Sequence, residues 1–311
     1  MRARGDRTAD ADALAAQNNP CTQSEITINS QADITNLATC RTLRGNVLVG
    51  TRTDSILNLG QGIQSIDGDL TLVNNGGVTS FSASGLSSIS GEFHLQNLTA
   101  LSTLSFPALT SVGKVNFVSL TALDSLTFTS GIRTARDVVV SDTFLSSLEG
   151  LNMVSVASMD INNNRRLVKY ESRLGNLTDN LNINANGLNL QVSFPSLIWI
   201  ANMTISNVST FDAPALRVVN GSMRFDSNFF RTFQAPNLTS TTSGDISFVS
   251  NPQLTNITLL SLTTVGGGFL IANNTALQKV DGFPKLKSVG GAVKLRGNFT
   301  KYVPGPVSAR I

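Results

Sequence analysis

Few side chains in this sequence could carry out acid–base or metal chemistry. Its 311 residues include one histidine, His94, and two cysteines, Cys21 and Cys40. Histidine-dependent catalysis needs further groups that orient or complement the imidazole, and a structural zinc site needs four ligands. His94 stands between Phe93 and Leu95, so strand alternation turns its side chain outward. We therefore expect a surface histidine and no Cys/His metal site.

The acidic residues are scattered along the chain and do not form the opposed pair that glycoside hydrolysis usually needs. The closest approach is Asp67-Gly68-Asp69, which we interpret as a turn, with calcium binding as the alternative. The basic residues Arg165, Arg166, Lys169 and Arg173 lie near Tyr170 and are expected to form an exposed turn. We predict a protein that is not an enzyme and binds no cofactor.

Trp199 is the only tryptophan and stands between two residues that we expect to point inward, Leu197 and Ile200. Related positions of the chain hold small polar residues instead, namely Ser111, Thr264 and Ser288. An exposed indole can lie flat against an apolar or sugar surface while its N–H stays hydrated. Trp199 is therefore a candidate glycan contact, and the alternative is a ring folded over a neighbouring turn.

The composition excludes several functional classes. Hydrophobic residues make up 41% and charged residues only 14%, against roughly 25% charged in an ordinary soluble domain. No apolar run reaches the roughly 18 residues that a transmembrane helix requires. The net charge is +3, and although basic residues gather after Lys279, no nucleic-acid-reading motif accompanies them. We expect no nucleic-acid partner.

A repeat of about 22 residues runs through the chain. Its marker is a pair of apolar residues at positions i and i+2, which is typical of a short strand with one buried face. The thirteen pairs are Ile26/Ile28, Val47/Val49, Leu70/Leu72, Phe93/Leu95, Val115/Phe117, Val138/Val140, Met159/Ile161, Leu181/Ile183, Met203/Ile205, Met223/Phe225, Ile246/Phe248, Phe269/Ile271 and Val293/Leu295.

Each repeat carries further signals between its apolar pairs. A polar residue often follows at i+4, and Leu-x-x-Leu and apolar-Pro-x-Leu segments come after it. We expect the i+4 side chains to stack inside and to bond turn backbone that burial would otherwise leave unpaired. Examples of this expected ladder are Asn74, Asn97, Asp142, Asn163, Asn207 and Asn273.

The spacing predicts an all-β fold. The gaps between pairs are short and rich in Gly, Asn and Ser, which leaves little room for helices of ordinary length. We predict a right-handed parallel β-helix or solenoid of about 13 coils, in which each coil buries its neighbour's apolar face. Leucine-rich repeats are the competing type, but their helical convex segment is not evident. The expected domain spans residues 21–300, flanked by a disordered tail at 1–20 and a second tail at 301–311.

Two further features indicate the secretory route. Cys21 and Cys40 bracket the first coil, where a bridge would cap the open end, and two free buried thiols are the alternative. Nine Asn-x-Ser/Thr sequons occur, slightly more than chance predicts. Six lie in turns or flanks and are the better acceptors, namely Asn176, Asn202, Asn220, Asn237, Asn256 and Asn298. The other three, Asn97, Asn207 and Asn273, fall at the ladder position.

The chain resembles the fungal GPI-anchored cell-wall organisation proteins, which are similar to the receptor L domain. The resemblance covers roughly residues 20–300 and rests on the opening EITINSQADITNLATCRTLRGNVLVG, on FPALTSVGKVNF and FPKLKSVGGAVKL, and on the closing GGAVKLRGNFT. It implies a secreted, N-glycosylated surface protein that supports wall integrity without catalysis. It also implies a disulfide between Cys21 and Cys40.

The family pattern also includes a signal peptide and an anchoring tail, which the sequence from Met1 to Ile311 does not show. We expect the end at 301–311 to be truncated relative to the family, with membrane attachment only through the family's anchor. The expected partners are cell-wall polysaccharides or wall proteins, and the expected place is the cell surface. Two alternatives remain, a β-helix enzyme acting on polysaccharides and a ligand-binding receptor ectodomain fragment.

Overall fold

In a computed structural model of the chain, residues 19–302 and 308–309 are described. The predicted tails at 1–20 and 301–311 lie mostly outside these residues. The fold divides into two compact units at Ile132 and Arg133, and each unit is a stack of parallel strands. The prediction of one domain over residues 21–300 stays a prediction.

Unit 1 consists of short strands and one short helix. The elements in chain order are β1 (Thr22–Ile28), α1 (Gln31–Asn36), β2 (Thr42–Val49), β3 (Ile56–Asn58), β4 (Ser65–Asp67), β5 (Leu70–Val73), β6 (Ser80–Ser82), β7 (Ser88–Gln96), β8 (Thr103–Ser105) and β9 (Ser111–Leu120). A main sheet contains β1, β2, β4, β5, β7 and β9, and a side sheet contains β3, β6 and β8.

Unit 2 repeats this plan with strands alone. They are β10 (Asp137–Thr143), β11 (Ser155–Asn162), β12 (Lys169–Glu171), β13 (Asn176–Asn184), β14 (Leu190–Ser193), β15 (Trp199–Ser206), β16 (Val208–Asp212), β17 (Val218–Val219), β18 (Met223–Asp226), β19 (Thr232–Gln234), β20 (Ser240–Thr241), β21 (Ile246–Val249), β22 (Asn256–Thr258), β23 (Thr264–Val265), β24 (Phe269–Ala272), β25 (Lys279–Val280), β26 (Ser288–Val289), β27 (Val293–Arg296), β28 (Lys301–Tyr302) and β29 (Ser308–Ala309). Its side strands form three groups, β12-β14-β16, β19-β22 and β25-β28.

The apolar pairs lie in register from one coil to the next. In unit 1, Ile26 pairs with Val47 and Leu70 with Phe93. In unit 2, Met223 pairs with Ile246. Equivalent strands recur about 23 residues apart, which makes about 12 turns, and only 2% of the chain is helix in the part that the structure describes. The prediction of an all-β parallel solenoid is therefore confirmed.

The core of each unit is the inside of these coils. Every apolar pair up to Phe269/Ile271 is at most 3% exposed. Aromatic rings from successive coils touch, as between Phe93 and Phe117 at 5.3 Å and between Phe225 and Phe248 at 5.0 Å. Val293, in the last pair, is 36% exposed. The earlier pairs are buried between successive coils, as expected where one coil cannot cover its own face.

The predicted inward position of the i+4 side chains is wrong by one residue, although Asn97 Nδ2 does donate to Asn74 Oδ1 of the preceding coil at 3.0 Å on the outer surface. The i+4 residues adopt left-handed φ angles, for example 55° at Asn74, 53° at Asn97 and 57° at Asn273. Asparagine tolerates this conformation better than most residues, and the chain turns a corner there. The corner directs the i+4 side chain outward and the next side chain inward. Both Asn97 and Asn273 are exposed.

The buried ladder is formed by the residues that follow the corners, namely Asn75, Asn164, Asn186, Asn228, Asn251 and Asn274. Asn228 donates from Nδ2 to Ile205 O at 2.9 Å and to Asn251 Oδ1 at 3.0 Å. Asn251 repeats this pattern one coil on, to Phe225 O and to Asn274 Oδ1. Each side-chain amide therefore hydrogen-bonds both a backbone carbonyl of the preceding coil and the asparagine of the following coil. This is the role that we predicted for the i+4 residues.

Close contact between coils also depends on glycine. Gly45, in β2, has φ of 120°, a conformation that side-chain-bearing residues rarely adopt. A Cβ at this position would overlap the backbone carbonyl oxygen of Gln23 in the preceding coil. The first two coils can therefore pack this tightly only with glycine there.

Candidate functional site

The first coil is closed by a disulfide. Cys21 and Cys40 are bonded, with their Cα atoms 5.5 Å apart. The loop between them contains β1 and α1, and the helix is capped by Ser30, whose hydroxyl accepts a hydrogen bond from Asp33 N. The predicted bridge is present, and the alternative of two free thiols is wrong.

The sequon asparagines lie on the outside of the coils. Eight of the nine are exposed, and Asn207 is half-buried. We predicted that the side chains of Asn97 and Asn273 lie inside the coils and are poorer glycan acceptors, and their exposure shows that this placement is wrong. Some exposed asparagines have structural contacts, since Asn237 Nδ2 donates to Pro214 O at 2.8 Å and Asn202 Oδ1 accepts from Ser222 N at 3.0 Å. Glycan attachment at any of them stays a prediction.

Trp199 begins β15 and is half-buried on the outer surface of the main sheet of unit 2. Its parallel neighbours are Asn176 on one side and Val218 on the other. The row continues through Ser240, Thr264 and Ser288. We call this line of outward side chains, Asn176 to Ser288, the outer row. Leu197 and Ile200 are fully buried, and the indole is the one large aromatic ring of the row.

We expect Trp199 to respond to wall polysaccharide. Because it is the only tryptophan, tryptophan emission excited selectively at the red edge of the absorption band reports this position alone. Titration with soluble β-glucan should shift or quench the emission, since a sugar ring against the indole changes its hydration. Val218→Ala, which alters an apolar neighbour in the same row, should leave the response intact. An unchanged spectrum at saturating polymer would remove Trp199 as a glycan contact.

The charged groups near His94 are engaged in structural contacts. His94 Nε2 lies 3.0 Å from Gln96 Oε1. Partial burial raises the pKa of Glu92, but hydrogen bonds from Asn116 and Lys114 outweigh this effect, so that the pKa lies below its ordinary value. The Lys114 ammonium is 3.1 Å from Glu92. Glu92 is therefore ionised at neutral pH and suits an ion pair better than proton donation.

The other polar clusters named from the sequence also have structural contacts. Arg166 lies over the ring of Phe144 at 4.4 Å, and Lys169 pairs with Glu171 at 3.3 Å. Burial raises the pKa of Tyr170 to about 12. Asp69 Oδ1 accepts a hydrogen bond from Glu92 N at 2.7 Å, in a turn. Among the described residues, no three His, Cys, Asp or Glu side chains lie together as metal ligands would.

Sequence reasoning missed a cleft of about 520 Å³ on the side face of unit 2. It lies between β16 and β19, and its lining includes Phe229, Arg231 and Gln234. One signal could have indicated it. The first apolar pairs of these two coils, at Met203 and Met223, are 20 residues apart, the shortest spacing in the repeat. The coil that begins at Met223 also carries Phe229-Phe230-Arg231 in the segment where other coils have Leu-x-x-Leu.

The described residues contain no helix that is long and apolar enough to cross a membrane. No family model matches the chain, and no solved structure matches it. Curated proteins do match it over most of its length.

Three relatives show the extent of the similarity. Protein ecm33 of Aspergillus fumigatus is 39% identical over 264 residues, which cover 85% of this chain and 66% of that protein. A cell surface GPI-anchored protein of Arthroderma benhamiae is 36% identical over 88% of this chain and 70% of its own length. Cell wall mannoprotein PST1 of Saccharomyces cerevisiae is 34% identical over 87% of this chain and 60% of its own length. The chain thus spans roughly two thirds of the relatives it matches.

Proposed function

Because the chain belongs to the family of fungal GPI-anchored cell-surface proteins that includes Ecm33, we propose that it is a non-enzymatic scaffold of the fungal cell wall. Its relatives are cell-surface and cell-wall proteins by name, and the protein is accordingly extracellular and associated with the wall. The solenoid presents repeated outer faces to wall polysaccharides or wall proteins.

The observation that carries this proposal is the regularity of the outer row. Side chains at this position repeat once per coil, and apart from Trp199 and Val218 they are uncharged and polar. A surface of hydroxyl and amide groups at fixed spacing can hydrogen-bond a long polymer at many weak points. Many weak points along one polymer give avidity without a deep pocket.

The principal rival is an enzyme acting on wall polysaccharide. A retaining or inverting glycosidase uses two carboxyl groups about 5–9.5 Å apart. Glu92, which is ion-paired with Lys114, and Asp69, which accepts a backbone hydrogen bond, are engaged in turns and strands instead. These contacts favour a scaffold. A receptor ectodomain is the second rival, and no separate observation favours it.

Product analysis tests the absence of catalysis. We expect purified protein, incubated with glucan, chitin or isolated walls, to release no more soluble sugar than a blank. The matched control is a glucanase added to the same preparation. Sugar release that one Asp substitution abolishes would overturn the proposal and establish the enzyme.

A further inference from the structure

The cleft on the side face of unit 2 arises where the side strands stop pairing. Strands β12, β14 and β16 form one group, and β19 and β22 form the next. In other coils the residue after the side strand donates its N–H to the following coil, as Phe194 N does to Asp212 O and Ala235 N to Thr258 O. The equivalent bond from Ala213 N to Gln234 O is absent within the described chain.

Two strand edges therefore face each other without bonding. In a parallel sheet, each residue directs its own N–H and C=O toward the same neighbouring strand. The next residue along the strand directs both groups toward the strand on the opposite side. Asp212 bonds toward β14, so the backbone groups of Phe211 and the N–H of Ala213 point into the cleft. Ala235 bonds toward β22, so the backbone groups of Thr232 and Gln234 point into the cleft from the opposite side. Such groups need a partner, whether water or ligand.

The cleft is closed at both ends along the strands. At the start of β16, Phe229 N donates to Val208 O at 2.8 Å. Beyond the far end, Asn237 Nδ2 donates to Pro214 O at 2.8 Å. An extended peptide adding as a strand would have to run through both of these contacts. The shape therefore fits a short compact ligand that enters from the solvent side.

The walls combine an aromatic surface with unpaired polar groups. Phe229 is 36% exposed, whereas Phe211 and Phe230 are 8% and 2% exposed and form the floor. Asp212, Arg231, Gln234 and Gln253 are exposed along the rim. Within residues 19–302, no side-chain hydrogen bond or ion pair engages the Asp212 carboxylate or the Arg231 guanidinium.

We propose that this cleft is a binding site for a short carbohydrate segment of one to a few sugar units. The inference deepens the proposed scaffold function and rests on it. A sugar ring offers an apolar C–H face to Phe229 and a rim of hydroxyls to planar amide, guanidinium and carboxylate groups and to backbone edges. A cleft of about 520 Å³ lies within the usual range for small ligands.

The sugar has two potential sources. One is a wall polysaccharide. The other is the protein's own N-glycan at Asn256, because Asn256 is the parallel neighbour of Thr232 in the cleft wall. Both would present the same hydroxyl-rich chemistry to the cleft, and an experiment can separate them.

Calorimetric titration of the full chain with β-1,3-glucan, chitin and mannan oligosaccharides tests the site. We expect at least one to bind, with Arg231→Ala and Phe229→Ala each weakening the affinity about tenfold, as the loss of one charged hydrogen bond or one stacking face would. Lys279→Ala removes an exposed charge from the same face outside the cleft lining and should have no effect. Each variant is first checked for an unchanged thermal unfolding midpoint.

The titration is run before and after enzymatic removal of the N-glycans. Binding before removal assigns the cleft to a wall polysaccharide, and binding only afterwards assigns it to the protein's own glycan. Absence of binding in both samples, or equal binding by the cleft variants, would overturn the inference. Co-sedimentation of the protein with isolated walls is measured in parallel. Sedimentation without cleft binding refutes this inference alone, and cleft binding without sedimentation refutes the scaffold function alone.

Discussion

Asn251→Ala should lower the free energy of unfolding of unit 2 by about 3–5 kcal/mol. Asn251 is fully buried in the middle of the asparagine ladder. Its Nδ2 donates to Phe225 O, and its Oδ1 accepts from Asn228 N at 2.9 Å and from Asn228 Nδ2 at 3.0 Å. Removal of the amide takes a hydrogen bond from four buried groups, because Asn251 Nδ2 also donates to Asn274 Oδ1 at 3.0 Å. Asn228 Nδ2 and Asn274 Oδ1 each keep one other partner, whereas Phe225 O and Asn228 N lose theirs, at about 1–3 kcal/mol for each unsatisfied group.

Thermal unfolding followed by circular dichroism measures this effect. The midpoint should fall by roughly 10 °C for a unit of this size. Asn180→Ala is the matched control, because Asn180 is an exposed asparagine of β13 in the same unit and outside any sequon. It should shift the midpoint by no more than about 1 °C, as surface substitutions usually do. Equal shifts for the two variants would show that the ladder does not stabilise the coils.

Replacing both Cys21 and Cys40 by serine should destabilise the first coil by about 3 kcal/mol, the loop-closure entropy of a loop of this length. We expect the destabilisation to be confined to the first coil because of how β1 is paired. It pairs with β2 alone among the described strands, so that no second described strand bonds its other edge. Solenoids open most easily at such ends, since each coil is stabilised by its neighbours.

Hydrogen exchange read by mass spectrometry locates the change. Peptides covering Thr22–Ile28 should exchange roughly a hundredfold faster in the double variant, as about 3 kcal/mol implies. Peptides from β21 and β24 in unit 2 should be unaffected. Wild-type protein under reducing conditions should match the variant. Unchanged protection of β1 would mean that packing, and not the bridge, holds the first coil.

The periodicity of apolar pairs predicted the strands and their register because one face of each strand is buried, and burial leaves a pattern of period two. The corner was harder to predict. Asn74-Asn75 and Asn273-Asn274 place two asparagines in succession, and composition alone does not tell which one takes the left-handed φ. The backbone geometry decides that the first turns out and the second turns in.

The sequence signals the cleft only through the short step after Met203, because the cleft depends on a difference between neighbouring coils and not on the pattern within one coil. The coil that begins at Met203 is short, and Val208 occupies the position that a ladder asparagine holds in the next coil, Asn228. Only the three-dimensional stack shows that β16 and β19 belong to different groups of side strands. Trp199, by contrast, stood out in the sequence because its related positions hold serine and threonine.

Co-sedimentation with isolated fungal walls tests the central claim, that the solenoid is a wall-binding scaffold, most directly. The purified chain is mixed with increasing amounts of washed wall material, and the bound fraction is measured after centrifugation against an unrelated soluble protein of similar size. We expect saturable binding of the chain above the level of that protein. A chain that stays in the supernatant to the same extent as the unrelated protein would contradict it.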